Sequence, residues 1–259
     1  MRIGFITNLV EEDFAFCQRE GIPCVEINLN YDMAPLGMAQ KLNEWRTKYG
    51  VDISHVGLFG RDFISKDEFE RAEHIKDLKK CMDFAADIGA PIITTGGGEQ
   101  GERTVREACD ELFKVLPGLL EYAHSKGLKY AFYNCHWTNF VTGPPSWDRI
   151  LDRHHECGIK FDPTHPLYDH KDWVSQLRDF GGKVYHAHAK DTVLVAGRPW
   201  EDVPAGMGCV DWGAFFALLY HHGYAGDVNI EPHSGTWTGD RFYKGILLAK
   251  RHLDQFLLP

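Results

Sequence analysis

No apolar run in this chain approaches the roughly 20 residues that span a bilayer, so neither a membrane helix nor a membrane partner is expected. Its seven cysteines (Cys17, Cys24, Cys81, Cys109, Cys135, Cys157 and Cys209) form an odd set without a C-x-x-C pair. That argues against a disulfide framework and for small buried residues in a reducing compartment. A basic patch is also missing. With 28 Lys plus Arg against 37 Asp plus Glu, the formal charge is −9, which repels a phosphate backbone and removes nucleic acid from the expected partners. Internal repeats and low-complexity segments are absent, and no Gly-rich fingerprint follows the first strand-like run, which speaks against an open dinucleotide-binding sheet. Met1-Arg2-Ile3-Gly4-Phe5-Ile6 opens as a strand rather than as a secretory leader, so a cytoplasmic protein is expected.

What is present is a regular alternation. Strand-like runs near 2–7, 23–28, 51–58, 91–95, 129–134, 158–162, 183–188 and 227–231 make eight, with amphipathic segments between them. In the clearest of these, about 66 to 88, Ala72, Ile75, Leu78, Met82, Ala85 and Ile88 recur along one face; Ser65 with Glu68 reads as its capping box and Gly89 as its stop. A second helix, about 102 to 125, carries Val105, Cys109, Leu112, Leu116, Leu119 and Ala123, with a kink expected at Pro117. Short connections between alternating β and α elements imply parallel strands. Eight such units in 259 residues predict an α/β chain folded as a single (β/α)8 TIM barrel over residues 1–259, with an open doubly wound sheet as the alternative. Gly96-Gly97-Gly98 after the fourth strand either makes a turn or offers backbone N–H groups to a phosphate. The longest irregular stretches, 135–146 and 190–211, follow strands and so fall on the face where a barrel builds its pocket.

Chemistry concentrates at three successive strand ends. Gly158-Ile159-Lys160-Phe161-Asp162-Pro163-Thr164-His165 drives an apolar run into a carboxylate. Val184-Tyr185-His186-Ala187-His188-Ala189-Lys190-Asp191 carries two imidazoles on one face, and Asp227-Val228-Asn229-Ile230-Glu231-Pro232-His233 ends in a second carboxylate. A carboxylate, an imidazole and another carboxylate at one mouth suit a divalent ion. For Asp162 the competing reading is an Asp-Pro turn. For Glu231 it is an ion pair with Lys190 or an arginine.

Taken in order, Phe161-Asp162-Pro163-Thr164-His165, the His186-Ala187-His188-Ala189-Lys190-Asp191 strand, Gly206-Met207-Gly208-Cys209-Val210-Asp211-Trp212 and Gly223-Tyr224-Ala225-Gly226 leading to Ile230-Glu231 resemble the sugar phosphate isomerase/epimerase family of xylose-isomerase-like barrels. The resemblance implies a divalent metal, manganese first, with magnesium, cobalt or zinc as alternatives, on Asp162, His188 and Glu231. The fourth family ligand is a glutamate on strand five, where Ala131-Phe132-Tyr133-Asn134-Cys135 places Tyr133 instead. His136 is the substitute considered for that position, the other reading being a substrate hydrogen bond with water as fourth ligand.

The implied chemistry is isomerisation or epimerisation of a sugar or sugar derivative through an enediolate, with a β-eliminating lyase or dehydratase and a non-catalytic metal-binding subunit as alternatives. Glu231 is the expected proton-transfer base, and Lys190 and His165 complete the catalytic candidates, Lys190 pairing with Asp191 on the plainer reading. His186 reads as a core histidine. Glu26, His55, Asn134, Trp137, Arg198 and His233 are the candidate sugar contacts; Trp200 is a further stacking candidate, and Trp212 reads as packing. A small-molecule sugar is thus the expected partner, and a homo-oligomer is compatible with the sequence. The fold also resembles apurinic-site endonucleases, but the acidic charge and the few ligands available for a multi-metal centre speak against that reading.

Overall fold

The computed structural model describes residues 1–258. Eight parallel strands close into a barrel: β1 (Arg2–Ile6), β2 (Cys24–Leu29), β3 (Asp52–Leu58), β4 (Ile92–Thr95), β5 (Lys129–Tyr133), β6 (Cys157–Phe161), β7 (Val184–Ala189) and, after a two-stranded hairpin of β8 (Asp191–Val195) and β9 (Arg198–Val203), β10 (Asp227–Ile230). Each neighbour in the ring follows in chain order, and β1 pairs with β10 to close it. At the amino-terminal rim Arg2 ties three strands together, bonding Asp227 and Asp52 at 2.7 Å each. All eight expected strands form, and the single barrel replaces the open-sheet alternative.

Helices on the outside bury one stripe each. The last, Phe242–Asp254, turns Gly245, Ile246, Ala249 and Leu253 inward, and Trp212–His221 turns in Trp212, Phe215, Phe216 and Leu219. Two helix expectations need correction. The segment read from Ser65 folds as Glu68–Asp87 with Asp67, not Ser65, as its cap: the Asp67 carboxylate accepts from the backbone N–H of Phe69 and Glu70, while the Ser65 hydroxyl turns to Glu70. The expected kinked helix is two helices, Val105–Leu112 and Leu116–Ser125. Proline at the second position of the latter costs no hydrogen bond, so the chain breaks ahead of it instead of bending through it.

The 190–211 stretch, expected to be irregular, holds the β8–β9 hairpin and a loop organised by one carboxylate. Asp191 accepts from the backbone N–H of Thr192, Gly206, Gly208 and Val210 and from the Trp212 indole, all at 2.9–3.1 Å. A Cβ at Gly208 would stand 2.2 Å from that carboxylate, which accounts for glycine there. Lys190 is therefore not the partner of Asp191, which is fully occupied by N–H donors.

Candidate active site

Alternation along β6, β7 and β10 brings Asp162, His188 and Glu231 to the carboxyl-end mouth, where one donor atom from each lies within 4.8 Å of the others. Two atoms held by one ion at 2.0–2.6 Å can be at most about 5.2 Å apart, so the three fit a single divalent ion. Asp162 is prepared for this by its neighbours. Its Oδ1 accepts from the Thr164 backbone N–H and hydroxyl, at 2.8 and 2.6 Å, which leaves the buried Oδ2 without a hydrogen-bond donor. The Asp-Pro-Thr turn thus occupies one oxygen of Asp162 and leaves the other facing the cluster. Asn134 also serves Asp162: its amide bonds the Asp162 backbone in both directions, at 2.9 and 3.1 Å, so it holds Asp162 in place and does not line the cavity.

His188 is fully buried and held from two sides. A carboxylate can only accept, so Nε2 donates to Glu26 at 2.8 Å and Nδ1 faces Glu231 Oε2 at 2.6 Å. This is the arrangement in which a carboxylate behind an imidazole fixes the ring for an ion in front. Burial disfavours the charged imidazole, but Glu26 and Glu231 together carry its pKa above the ordinary value. Glu26 itself, expected as a sugar contact, lies inside the barrel with His55, His186 and Asn229; it bonds His186 at 2.7 Å and Asn229 at 3.0 Å. His55 donates to or accepts from Thr94 at 2.6 Å and stacks on His186. Neither Glu26 nor His55 reaches the cavity, because both sit in mid-strand, one register step below the rim. His186 is the core histidine its depth implies. Glu26, His55 and His186 also bring donor atoms within 4.8 Å of one another, but the Glu26 oxygens already accept from His186, His188 and Asn229.

Lys190 extends from β7 between the two carboxylates, its Nζ 3.4 Å from Asp162 Oδ2 and 3.2 Å from Glu231 Oε1. Burial opposes the charge of all three groups, yet the mutual attraction holds Lys190 well above its usual range and keeps Glu231 well below the usual carboxylate range. Glu231 therefore makes the ion pair with Lys190, and its donor atom also lies in the three-donor cluster. His165 Nε2 stands 3.5 Å from Asp162 Oδ2, and burial together with Lys190 lowers its pKa to about 3, so the ring is neutral.

A cavity of about 550 Å³ opens over this cluster. His165, Lys190, Glu231, His233, His136 and Trp137 line it, as do Asn8, Asn28, Asn30 and Lys160, which sequence reasoning passed over. Asn28 was within reach, because it follows Glu26 on the same strand face with the period of two. Its Oδ1 is buried without a donor, and Gly57 makes room for it: a Cβ there would stand 2.6 Å away. His136 is not brought into the three-donor cluster. It is largely exposed and bonds Asp169 at 2.6 Å, since the chain leaves β5 outward after Asn134. Arg198 lies at the exposed end of the hairpin and Trp200 projects from it; neither lines the cavity. Trp212 is packing, as read.

Tyr133 resolves the strand-five departure. Its ring stacks on Phe59 with centroids 4.5 Å apart, and its hydroxyl donates to the Trp137 carbonyl at 2.9 Å. Burial holds the phenol well above its ordinary pKa. It supplies neither an anionic ligand nor a base.

A closed parallel barrel with carboxylates and imidazole gathered at its carboxyl-end mouth defines the class of barrel proteins that build their sites from strand ends. Within that class, residues 14–252 match the model of the xylose isomerase-like TIM barrel, and the chain belongs to that family. It is similar to L-ribulose-5-phosphate 3-epimerase UlaE of Shigella flexneri serotype 5b, 25% identical over 199 residues that take in 67% of this chain and 61% of that protein. It is also similar to inosose dehydratase of Clostridium beijerinckii, 23% identical over 199 residues, with 65% of each chain covered. The chain thus spans less than two thirds of the length of these relatives. A crystal structure of the IolI protein with a bound zinc atom superposes with a TM-score of 0.81 over the full length of both chains at 18% identity. No helix among the described residues is long and apolar enough to cross a membrane.

Proposed function

We propose that this protein is a divalent-metal-dependent isomerase or epimerase acting on a sugar or sugar derivative through an enediolate. The observation that carries the reading is the convergence of Asp162, His188 and Glu231 within 4.8 Å beside a sugar-sized cavity. Its relatives support it, one being named a sugar-phosphate epimerase and another a dehydratase. A divalent ion on these three residues, manganese first, would supply the charge that acidifies a C–H beside a carbonyl. Glu231 is ionised at neutral pH and opens on the cavity, so it serves as the carboxylate that takes up that proton. Lys190, bonded to the same carboxylate, balances its charge and can hand an N–H to the oxyanion that forms. His165, kept neutral, donates a hydrogen bond to a substrate oxygen, and Asn28 and Asn30 offer amide groups along the same cavity wall. Trp137 offers an apolar face at the rim, and exposed His233 lies 3.6 Å from Glu231.

A β-eliminating lyase is the second reading, and Tyr133 favours it. Epimerisation at one carbon wants a base on each face, and the hydroxyl on strand five is tied to Trp137. Isomerisation between adjacent carbons and loss of a β-leaving group each need only the Glu231 side. The test is metal analysis of the purified protein followed by solvent-deuterium exchange into a panel of ketoses and keto-inositols. One ion per chain, lost in Asp162→Asn, with exchange at a single carbon, is the expected result. A chain that binds no divalent ion at micromolar concentration would overturn the reading.

A further inference from the structure

Lys160 is buried, with 5% of its surface exposed, and that surface faces the cavity. Unlike Lys190, which lies between two carboxylates, it has among the described residues no acidic oxygen within 4.0 Å. Its Nζ stands 5.1 Å from the centre of the Phe59 ring, whose face attracts a cation but accepts no strong hydrogen bond. A buried ammonium so poorly paired is costly. Lys160 leaves β6 on the same face as Asp162, two residues on, and so lines the mouth. The β6–β7 register shifts between Ile159 and Lys160, where β7 carries Tyr185 as an extra residue. Glycine at 158 admits that ring, since a Cβ there would lie 2.1 Å from it.

The other charges at the mouth are taken. Glu231 holds Lys190 and His188, Asp202 accepts the Tyr168 hydroxyl, and His136 bonds Asp169. We infer that Lys160 binds a carboxylate of the substrate, which makes the substrate a keto sugar acid; this rests on the sugar reading of the same site. Lys160 and Asp162 stand two residues apart on β6, their Cα atoms about 7 Å apart on one face, so one small ligand at the mouth reaches both side chains. The sugar acid then lies with its hydroxy-carbonyl end at the three-donor cluster and its acid group at Lys160. Phosphate is the other anion that sugars carry; a lysine binds it as a point charge, but its double charge is ordinarily met by further donors, an arginine fork or N–H groups at a helix start. No arginine lines this cavity, and one ammonium matches one negative charge.

The experiment is calorimetric binding to the manganese-loaded protein. The ligands are ketohexoses of different C3 and C4 configuration, each with its 6-carboxylate and 6-phosphate analogue. At low salt the carboxylates should bind at least about tenfold tighter than the neutral sugars, the scale of one charge-assisted hydrogen bond. Lys160→Met should abolish that preference while leaving neutral-sugar affinity within about threefold, and Lys160→Arg should keep part of it. Circular dichroism and thermal unfolding confirm that both variants fold. Equal binding of neutral and acidic sugars, an unaltered preference in Lys160→Met, or tenfold tighter binding of the phosphates would each overturn the inference and leave the sugar reading standing. Binding of none of the ligands would remove both.

Discussion

The Tyr133 and Phe59 rings lie nearly parallel, 14° apart, with the Tyr133 hydroxyl donating away from the metal-competent cluster to the Trp137 carbonyl. The residue at the family's glutamate position is thereby buried behind Phe59, which itself lines the cavity. It fixes the loop that carries Trp137, and chemistry is left to the opposite side of the mouth.

Tyr133→Phe should consequently lower stability by about 1 kcal/mol, the ordinary worth of one such hydrogen bond, and change turnover by less than about threefold. Denaturant unfolding and steady-state kinetics check this. A hundredfold loss of kcat with metal retained would mean that the phenol takes part in the reaction.

Glu231→Gln keeps the size of the side chain and one oxygen for the ion while removing the base. Turnover and solvent-deuterium exchange should fall by about 10²–10⁴-fold, the range for a positioned proton-transfer group. Metal occupancy must be measured in the same sample. Near-normal exchange with the ion present would show that another group moves the proton.

Lys190 presents the opposite expectation for metal affinity. Its ammonium touches the same two carboxylates that would hold the ion, so it competes with the ion electrostatically. Lys190→Met should tighten divalent-ion binding by about tenfold or more while lowering kcat, because the oxyanion loses its N–H donor. Weaker metal binding in this variant would assign Lys190 a supporting role in the cluster.

The strand ends announced the barrel and its three-donor cluster because side-chain direction follows the period of two from strand to mouth, and His186 and His188 obeyed it. The same rule, with β2 and β3 taken to end too early, promoted Glu26 and His55 to the rim. They are in mid-strand, and the rim residues on β2 are Asn28 and Asn30. Asn134 looked like a sugar contact because nothing in its own neighbourhood of sequence shows that Asp162, 28 residues later, needs a clamp on both backbone groups. Lys160 was passed over for a different reason. A lysine inside an apolar run reads as a strand residue with an exposed tip, although its spacing of two from Asp162 already placed it on the same face of β6. The hairpin in 190–211 was hidden because Asp191, not a hydrophobic pattern, organises the loop beside it.

The buried network makes the metal-free protein sensitive to acid, and the sign follows from which state binds protons. Burial, against the pull of Glu26, lowers the pKa of His55 from 6.5 to about 3, so between those values the unfolded chain takes up a proton that the folded one refuses. His165 shares that window and His186 is lowered too, so all three favour folding above about pH 6.5 and withdraw that support as the pH falls. Glu26, ionised against the cost of burial by His188, His55 and His186, adds the same slope below its ordinary value of 4.5. His188 acts in the other direction: raised above 6.5, it favours folding at low pH and loses that contribution as the pH rises through its folded value. Chelator-treated protein should therefore lose stability from about pH 6.5 downward by roughly 1.4 kcal/mol per pH unit for each proton taken up. His55→Gln, less stable at pH 7 through the loss of the Thr94 contact, should flatten that slope by close to one proton between pH 4 and 6. Urea unfolding at several pH values measures it directly, and an unchanged slope would mean that His55 is already protonated in the folded barrel beside Glu26.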